Sequence, residues 1–216
     1  MKKAVIASLI LLVTLSGHAQ KLSKEERTLI KAGAKGSMMR VLQVTEAADL
    51  KILKSVSKDV VASDEAVPLL IDRMYATVRD TANPGVGIAA PQIGINRNII
   101  WVQRFDKEGE PFEAYLNPKI IWSSKLLRKG TEGCLSIADV RGDALRNYTI
   151  RITYLDRNGK AHEEMVEGFT AVIFQHEIDH LNGILFTDRL SDQKRQQYSL
   201  INPEVHLYLE TRLKRQ

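Results

Sequence analysis

The sequence predicts an α+β fold, mostly antiparallel sheets packed around one central helix, on three observations. Residues 149–154, Thr-Ile-Arg-Ile-Thr-Tyr, alternate polar and apolar side chains with period two, and Asp156-Arg157-Asn158-Gly159 is turn chemistry that folds such a strand back on itself. Residues 168–183, GFTAVIFQHEIDHLNG, read as a helix apolar on nearly every side, and such a helix is normally buried. Strands and helices do not follow a βαβ order, which argues against a doubly wound parallel sheet. The chain's 216 residues are enough for one domain with a substantial core.

Taken in order, residues 1–19 carry the pattern of a secretory signal peptide. Lys2 and Lys3 precede an apolar run from residue 4 to 15, and Gly17-His18-Ala19 puts small residues at −3 and −1 of a cut. The run is too short to span a bilayer, and no cysteine follows the cut, so no stable membrane anchor is expected. Residues 20–39 are expected to form a helical arm. Ser23-Lys24-Glu25-Glu26 is a capping box opening a polar helix to about residue 35, with Gly33 and Gly36 ending it.

The main body is expected over 40–192, with Val41-Leu42-Gln43-Val44 as a short first strand. Val67, Leu70, Ile71, Met74, Tyr75 and Val78 repeat with helical spacing behind Asp64-Glu65, and Pro68 suits the first turn. Residues 83–94 are small and glycine-rich, which lets a backbone approach something closely, and Gln92 is the long polar side chain among them. Residues 99–102 and 113–122 read as strands around a turn at 106–109, and 163–166 as the return from the 156–159 turn. Residues 184–186 are expected as a short strand, and 193–216 as a helical extension with its helix over 205–213.

The net charge of +5 includes two lysines of the leader, and the remaining basic residues are scattered, so no nucleic-acid surface is read. Cys134 is the single cysteine, which excludes an internal disulfide; the thiol is inert and buried, paired to another chain, or bound to something.

The chemistry concentrates in the apolar helix. Burying His176, Glu177, Asp179 and His180 without partners would cost several kcal/mol each, and a metal ion is the simplest compensation. His176 and His180 stand at i and i+4, on one helix face, where both imidazoles reach one ion. Glu177 projects beside them and can exchange protons with a water activated by the metal. Glu132-Gly133-Cys134-Leu135-Ser136 lies 42 residues before His176 and supplies a third ligand, leaving a fourth position open as in catalytic sites. Spacing alone suggests zinc.

Three motifs in order, GVGIAAPQ, EGCLS and QHEIDHLNG, closely resemble the peptide deformylases, which remove the formyl group from the N-terminal methionine of bacterial and organellar chains. The resemblance spans roughly residues 40–192. It implies Cys134, His176 and His180 as ligands of one divalent ion, typically ferrous iron, replaceable by nickel, cobalt or zinc. It implies Glu177 as general base and acid, with the Gln92 amide and the Leu135 backbone N–H as oxyanion donors. It also implies that the Gly87 backbone bonds a peptide lying as an added strand, and that Ile88, Val172 and Ile173 wall a methionine pocket. Glu132 and Asp179 are expected to support the ligands or the fold. Arg141 and Arg146 match basic positions near the mouth of the site, with a solvated surface role as the alternative. The chain departs from the family pattern at Ile88, usually Leu, and at Ala138, usually Pro.

The expected partner is a formylated peptide, with no nucleic acid, and the protein is expected to be a monomer. A metallo-amidase or peptidase acting on other peptides, and a non-catalytic peptide-binding relative, are the competing readings. The leader implies an exported, periplasmic protein; translation from Met38 or Met39 would instead give a cytoplasmic one.

Overall fold

The computed structural model describes residues 19–211. The expected leader, apart from Ala19, and residues 212–216 lie outside the described residues. Every ladder between strands is antiparallel. One sheet has the order β1-β2-β3-β6-β7, from Gly87–Ala89 (β1), Ile99–Gln103 (β2), Phe112–Ser123 (β3), Thr149–Leu155 (β6) and Ala161–Glu167 (β7). The other has the order β5-β4-β9-β8, from Leu126–Cys134 (β4), Ile137–Asn147 (β5), Gln197–Asn202 (β8) and Leu207–Thr211 (β9). The helices are Lys24–Lys31 (α1), Ala47–Leu53 (α2), Val67–Val78 (α3), Gly168–Leu181 (α4) and Phe186–Gln193 (α5).

β2 is covered on both faces and reads as a continuous apolar run, whereas β6 keeps the alternation of a half-buried strand. In β2, Ile99 and Trp101 enter the core beneath α3, with Leu70, Ile71, Met74 and Val78. Ile100 and Val102 point the other way, into the core beneath α4, with Ala171, Phe174, Ile178 and Leu181. Phe174 is fully buried, which contributes about 1.5–3 kcal/mol relative to leaving it in water. Gly168 turns the chain from β7 into α4 in one residue: its φ is +64°, left-handed backbone that glycine adopts without a Cβ penalty, and its N–H donates to Tyr148 O at 2.8 Å.

Several expected elements differ. Residues 41–44 form no ladder; Leu42 N donates to Gln92 O (2.7 Å) and Val44 N to Ser136 O (3.0 Å), tying an extended segment to the site loops. Residues 184–186 do not form a strand, because α5 begins at Phe186, with Leu185 N donating to Asp188 Oδ2 at 2.7 Å. Of the helix expected over 205–213, residues 212–213 lie outside the described residues, and residues 207–211 instead form β9, half of a hairpin with β8. It pairs with β4 at residues 126–128 and satisfies an edge that would otherwise leave backbone groups open. α1 has both capping-box bonds, Glu26 N to Ser23 Oγ (3.2 Å) and Ser23 N to Glu26 Oε2 (2.6 Å), and it stops at Lys31. The β4–β5 hairpin and α2 carry no clean periodicity that marks them in the sequence.

Candidate metal centre

Two distant pieces of chain build the site. α4 carries His176, Glu177 and His180 against the first sheet, and the end of β4 delivers Cys134. Ligand atoms of Cys134, His176 and His180 all lie within 4.8 Å of one another, and one sulfur with two ring nitrogens is a donor set that suits a single tetrahedral ion. Cys134 Sγ is 3.3 Å from His180 Nε2. The two imidazole rings are 5.0 Å apart and inclined at 73°.

The orientation of the donors is held from behind. Glu132 Oε2 is 2.8 Å from His176 Nδ1, which directs the other ring nitrogen toward the site. Arg146 in turn clamps Glu132 with two bonds of 2.7 and 2.9 Å and also bonds Asp179. Arg189 closes the chain on the other side of Asp179 at 2.9 and 2.5 Å. Arg146 is therefore not a basic group at the mouth or on the solvated surface: it is 4% exposed and neutralises two buried carboxylates.

Burial alone would raise the Glu132 carboxyl, but the Arg146 guanidinium and the His176 ring prevail and hold it at about 2. Burial pushes Glu177 up to about 7, partly countered by His176. Burial, then His176, holds His180 well below its ordinary value, so it is a neutral imidazole with a lone pair to give. Burial would lower His176 too, but Cys134 and Glu132 raise it to about 10. One observation fits a metal and its water: Glu177 Oε2 is buried with no protein partner.

A cleft of about 1000 Å³ opens onto these residues. Cys134, His176 and Glu177 line it with Gln92, and Val172 and Ile173 line it from α4. Gly87, Glu132, Leu135, Ala138 and Arg141 complete the predicted set found there. Ile88 is different. Period-two alternation along β1 turns it away from α4, and it is fully buried in the core under α3, so its side chain is no pocket wall. Gln92 is fixed at one end, with Ala89 N donating to its Oε1 at 2.9 Å. Its Nε2 lies 3.2 Å from Ser136 Oγ and 3.6 Å from Cys134 Sγ. The Leu135 carbonyl accepts from Gln43 Nε2 at 2.9 Å. Ser136 stood inside a motif without a role, and no pattern marks Gln43.

Fold and site together define an amide-cleaving metallohydrolase, with two histidines and a cysteine as the donors and a buried glutamate beside them. The profile of the polypeptide deformylase family matches residues 38–196. A peptide deformylase from Caulobacter sp. (strain K31) is 47% identical over 161 residues, covering 74% of this chain and 91% of that protein. Among solved structures, a class I type b peptide deformylase from Acinetobacter baumannii, bound to Met-Ala-Ser, superposes with a TM-score of 0.65 at 36% identity; 71% of this chain and 99% of that one are covered. A peptide deformylase from Thermotoga maritima gives a TM-score of 0.63 at 34% identity, covering 70% and 97%. The chain belongs to the polypeptide deformylase family. It is a hydrolase that removes the formyl group from formylated peptides.

Proposed function

We propose that Cys134, His176 and His180 hold one ferrous ion and that Glu177 moves the protons of formyl-methionyl peptide hydrolysis. The observation that carries this is Glu177 Oε2, buried without a partner on the wall of the cleft beside the three donors. When bound, the ion supplies Lewis-acid activation of a water and of the formyl oxygen. Glu177 takes the proton as the water attacks the formyl carbon and returns it to the departing amine; a carboxyl near 7 suits both transfers at neutral pH.

The Gln92 amide and the Leu135 N–H donate to the developing oxyanion. β1 pairs on one side only, with β2, so its open edge at Gly87 receives the peptide as an added strand. Val172 and Ile173 wall the methionine pocket. The test is amine release from formyl-Met-Ala-Ser by the purified, iron-loaded protein; turnover no greater than that of Glu177→Ala would overturn the assignment. Iron, rather than zinc, nickel or cobalt, rests on the family likeness, and each of these ions accepts a thiolate with two imidazoles. Metal analysis of protein purified without oxygen decides it, and full zinc occupancy would refute iron.

The leader's basic and apolar regions and its small-residue cut support export to the periplasm without a stable membrane anchor, where the protein is proposed to act as a monomer. Among the described residues no helix is long and apolar enough to cross a membrane. Fractionation with N-terminal sequencing tests this: a chain beginning at Gln20 is expected, and one beginning at Met38 or Met39 in the cytoplasm would refute it. Ala138 lines the cleft in place of a ring, which favours, as a second reading, a broader range of acylated peptides; a screen against acetylated and unmodified peptides separates the two.

A further inference from the structure

Residues 19–37 lie outside the family match, yet they are built into the catalytic body. Ile30 of α1 is fully buried in the core under α3. Arg97 grips Glu26 with two bonds of 2.7 Å, and Arg27 meets the buried Asp64 at 2.6 Å. The strongest tie is Arg73, a buried residue of α3. Its guanidinium donates to four backbone carbonyls of the arm: Leu29 (3.1 Å), Ile30 (2.9 Å), Ser37 (3.1 Å) and Met38 (3.0 Å). The arm wraps so closely that a Cβ on Gly33 would lie 2.6 Å from Arg73 Nη2. One turn further along α3, Thr77 Oγ1 accepts from Met39 N at 2.9 Å.

The consequence lies at the cleft. The clamp ends where the arm reaches the rim, and Met38, Met39 and Thr77 all line the same cleft as Cys134 and Glu177. Met39 is anchored, at 7% exposure, but Met38 is 54% exposed, an apolar side chain held in the mouth with no core to join. The inner cleft walls are Val172 and Ile173, so a peptide seated there has its later residues toward the rim.

We propose that the N-terminal arm is a substrate-binding element of this enzyme: Arg73 positions Met38, which contacts apolar side chains of the peptide beyond the formyl-methionine. This rests on the deformylase reading above. The thioether is well suited to packing on varied side chains.

The test compares two substrates, formyl-Met-Leu-Phe and formyl-methionine amide. Met38→Ala is expected to lower the ratio of their kcat/KM values roughly fivefold, through KM of the longer one, as expected for partial loss of one buried apolar side chain. Met38→Leu is expected to restore the ratio. Arg73→Lys is expected to lower it as Met38→Ala does, since one ammonium cannot meet four carbonyls. A general structural role for the arm would shift both substrates equally; that result, or an unmoved ratio in Met38→Ala, would overturn the proposal. If the wild type turned over neither substrate, the deformylase reading would fail. The arm would then be judged by calorimetric binding of Met-Leu-Phe against methionine amide, with the same ratio expected to fall in Met38→Ala and an unmoved ratio overturning it.

Discussion

The Cβ that Gly87 lacks would sit 2.5 Å from Glu177 Oε1 and 2.9 Å from Ile173 Cγ2. No real Cβ tolerates that approach, so the residue on β1 and the carboxylate on α4 can share the cleft only if the former is glycine. Gly87→Ala is expected to displace Glu177 and lower kcat/KM about a hundredfold, the cost of misplacing a reacting group by about an ångström. Gly130→Ala is the control: its added Cβ meets nothing within 4 Å. Kinetics on formyl-Met-Ala-Ser, with circular dichroism to check folding, decide the matter; equal effects of the two substitutions would contradict the steric argument.

Arg146 joins Glu132 and Asp179 in the buried interior. Arg146→Met keeps most of the volume but leaves two carboxylates without their cation. A loss of about 3–5 kcal/mol is expected, because an uncompensated buried charge costs more than the pair returned. Glu132 would also stop orienting His176, and metal affinity is expected to fall about 10–100-fold. Urea denaturation and competition with a metal indicator measure the two effects separately.

Acid should reveal the same carboxylate. The Glu132 carboxyl is held at about 2 in the folded protein, against about 4.3 in an unfolded chain. The folded state prefers the charged form, so this stabilisation is complete above pH of about 4.3 and drains away as pH falls toward about 2. The separation corresponds to about 3 kcal/mol. Glu132→Gln is expected to be less stable at neutral pH and to show a flatter decline across that acid window. A wild-type curve that did not fall there would refute the ion pair's role.

Glu177 is shifted in the opposite direction, to about 7 by burial. As a general base it works as the carboxylate, so kcat/KM is expected to rise with pH along a limb whose midpoint lies at or below about 7, since a bound cation favours the ionised form. Rates that fell with pH over that range would exclude Glu177 from the base role.

Removing the metal tests the donor set directly. Dialysis against a chelator is expected to abolish turnover, and ferrous ion under anaerobic conditions to restore it. Cys134→Ser replaces a thiolate with a hydroxyl that does not ionise at neutral pH, so bound-metal stoichiometry and turnover should fall together. Retention of both would remove Cys134 from the site.

What the sequence determined by itself was everything carried by short-range spacing. The i, i+4 pair His176 and His180 with Glu177 between them, the Asp156–Gly159 turn between β6 and β7, and the Ser23–Glu26 capping box each depend on a handful of neighbouring residues. The family motifs gathered the remaining site residues in order. Only the tertiary structure decided what depends on partners far along the chain. Cys134 reaches the histidines because β4 ends against α4. Arg146 turns inward because Glu132 and Asp179 wait there, and no local pattern distinguishes it from a surface arginine. Ile88 leaves the pocket because β1 alternates its faces between two cores. Residues 207–211 become a strand because β4 has an edge to fill. Periodicity reports which face of an element is apolar; it cannot report which other element that face will meet.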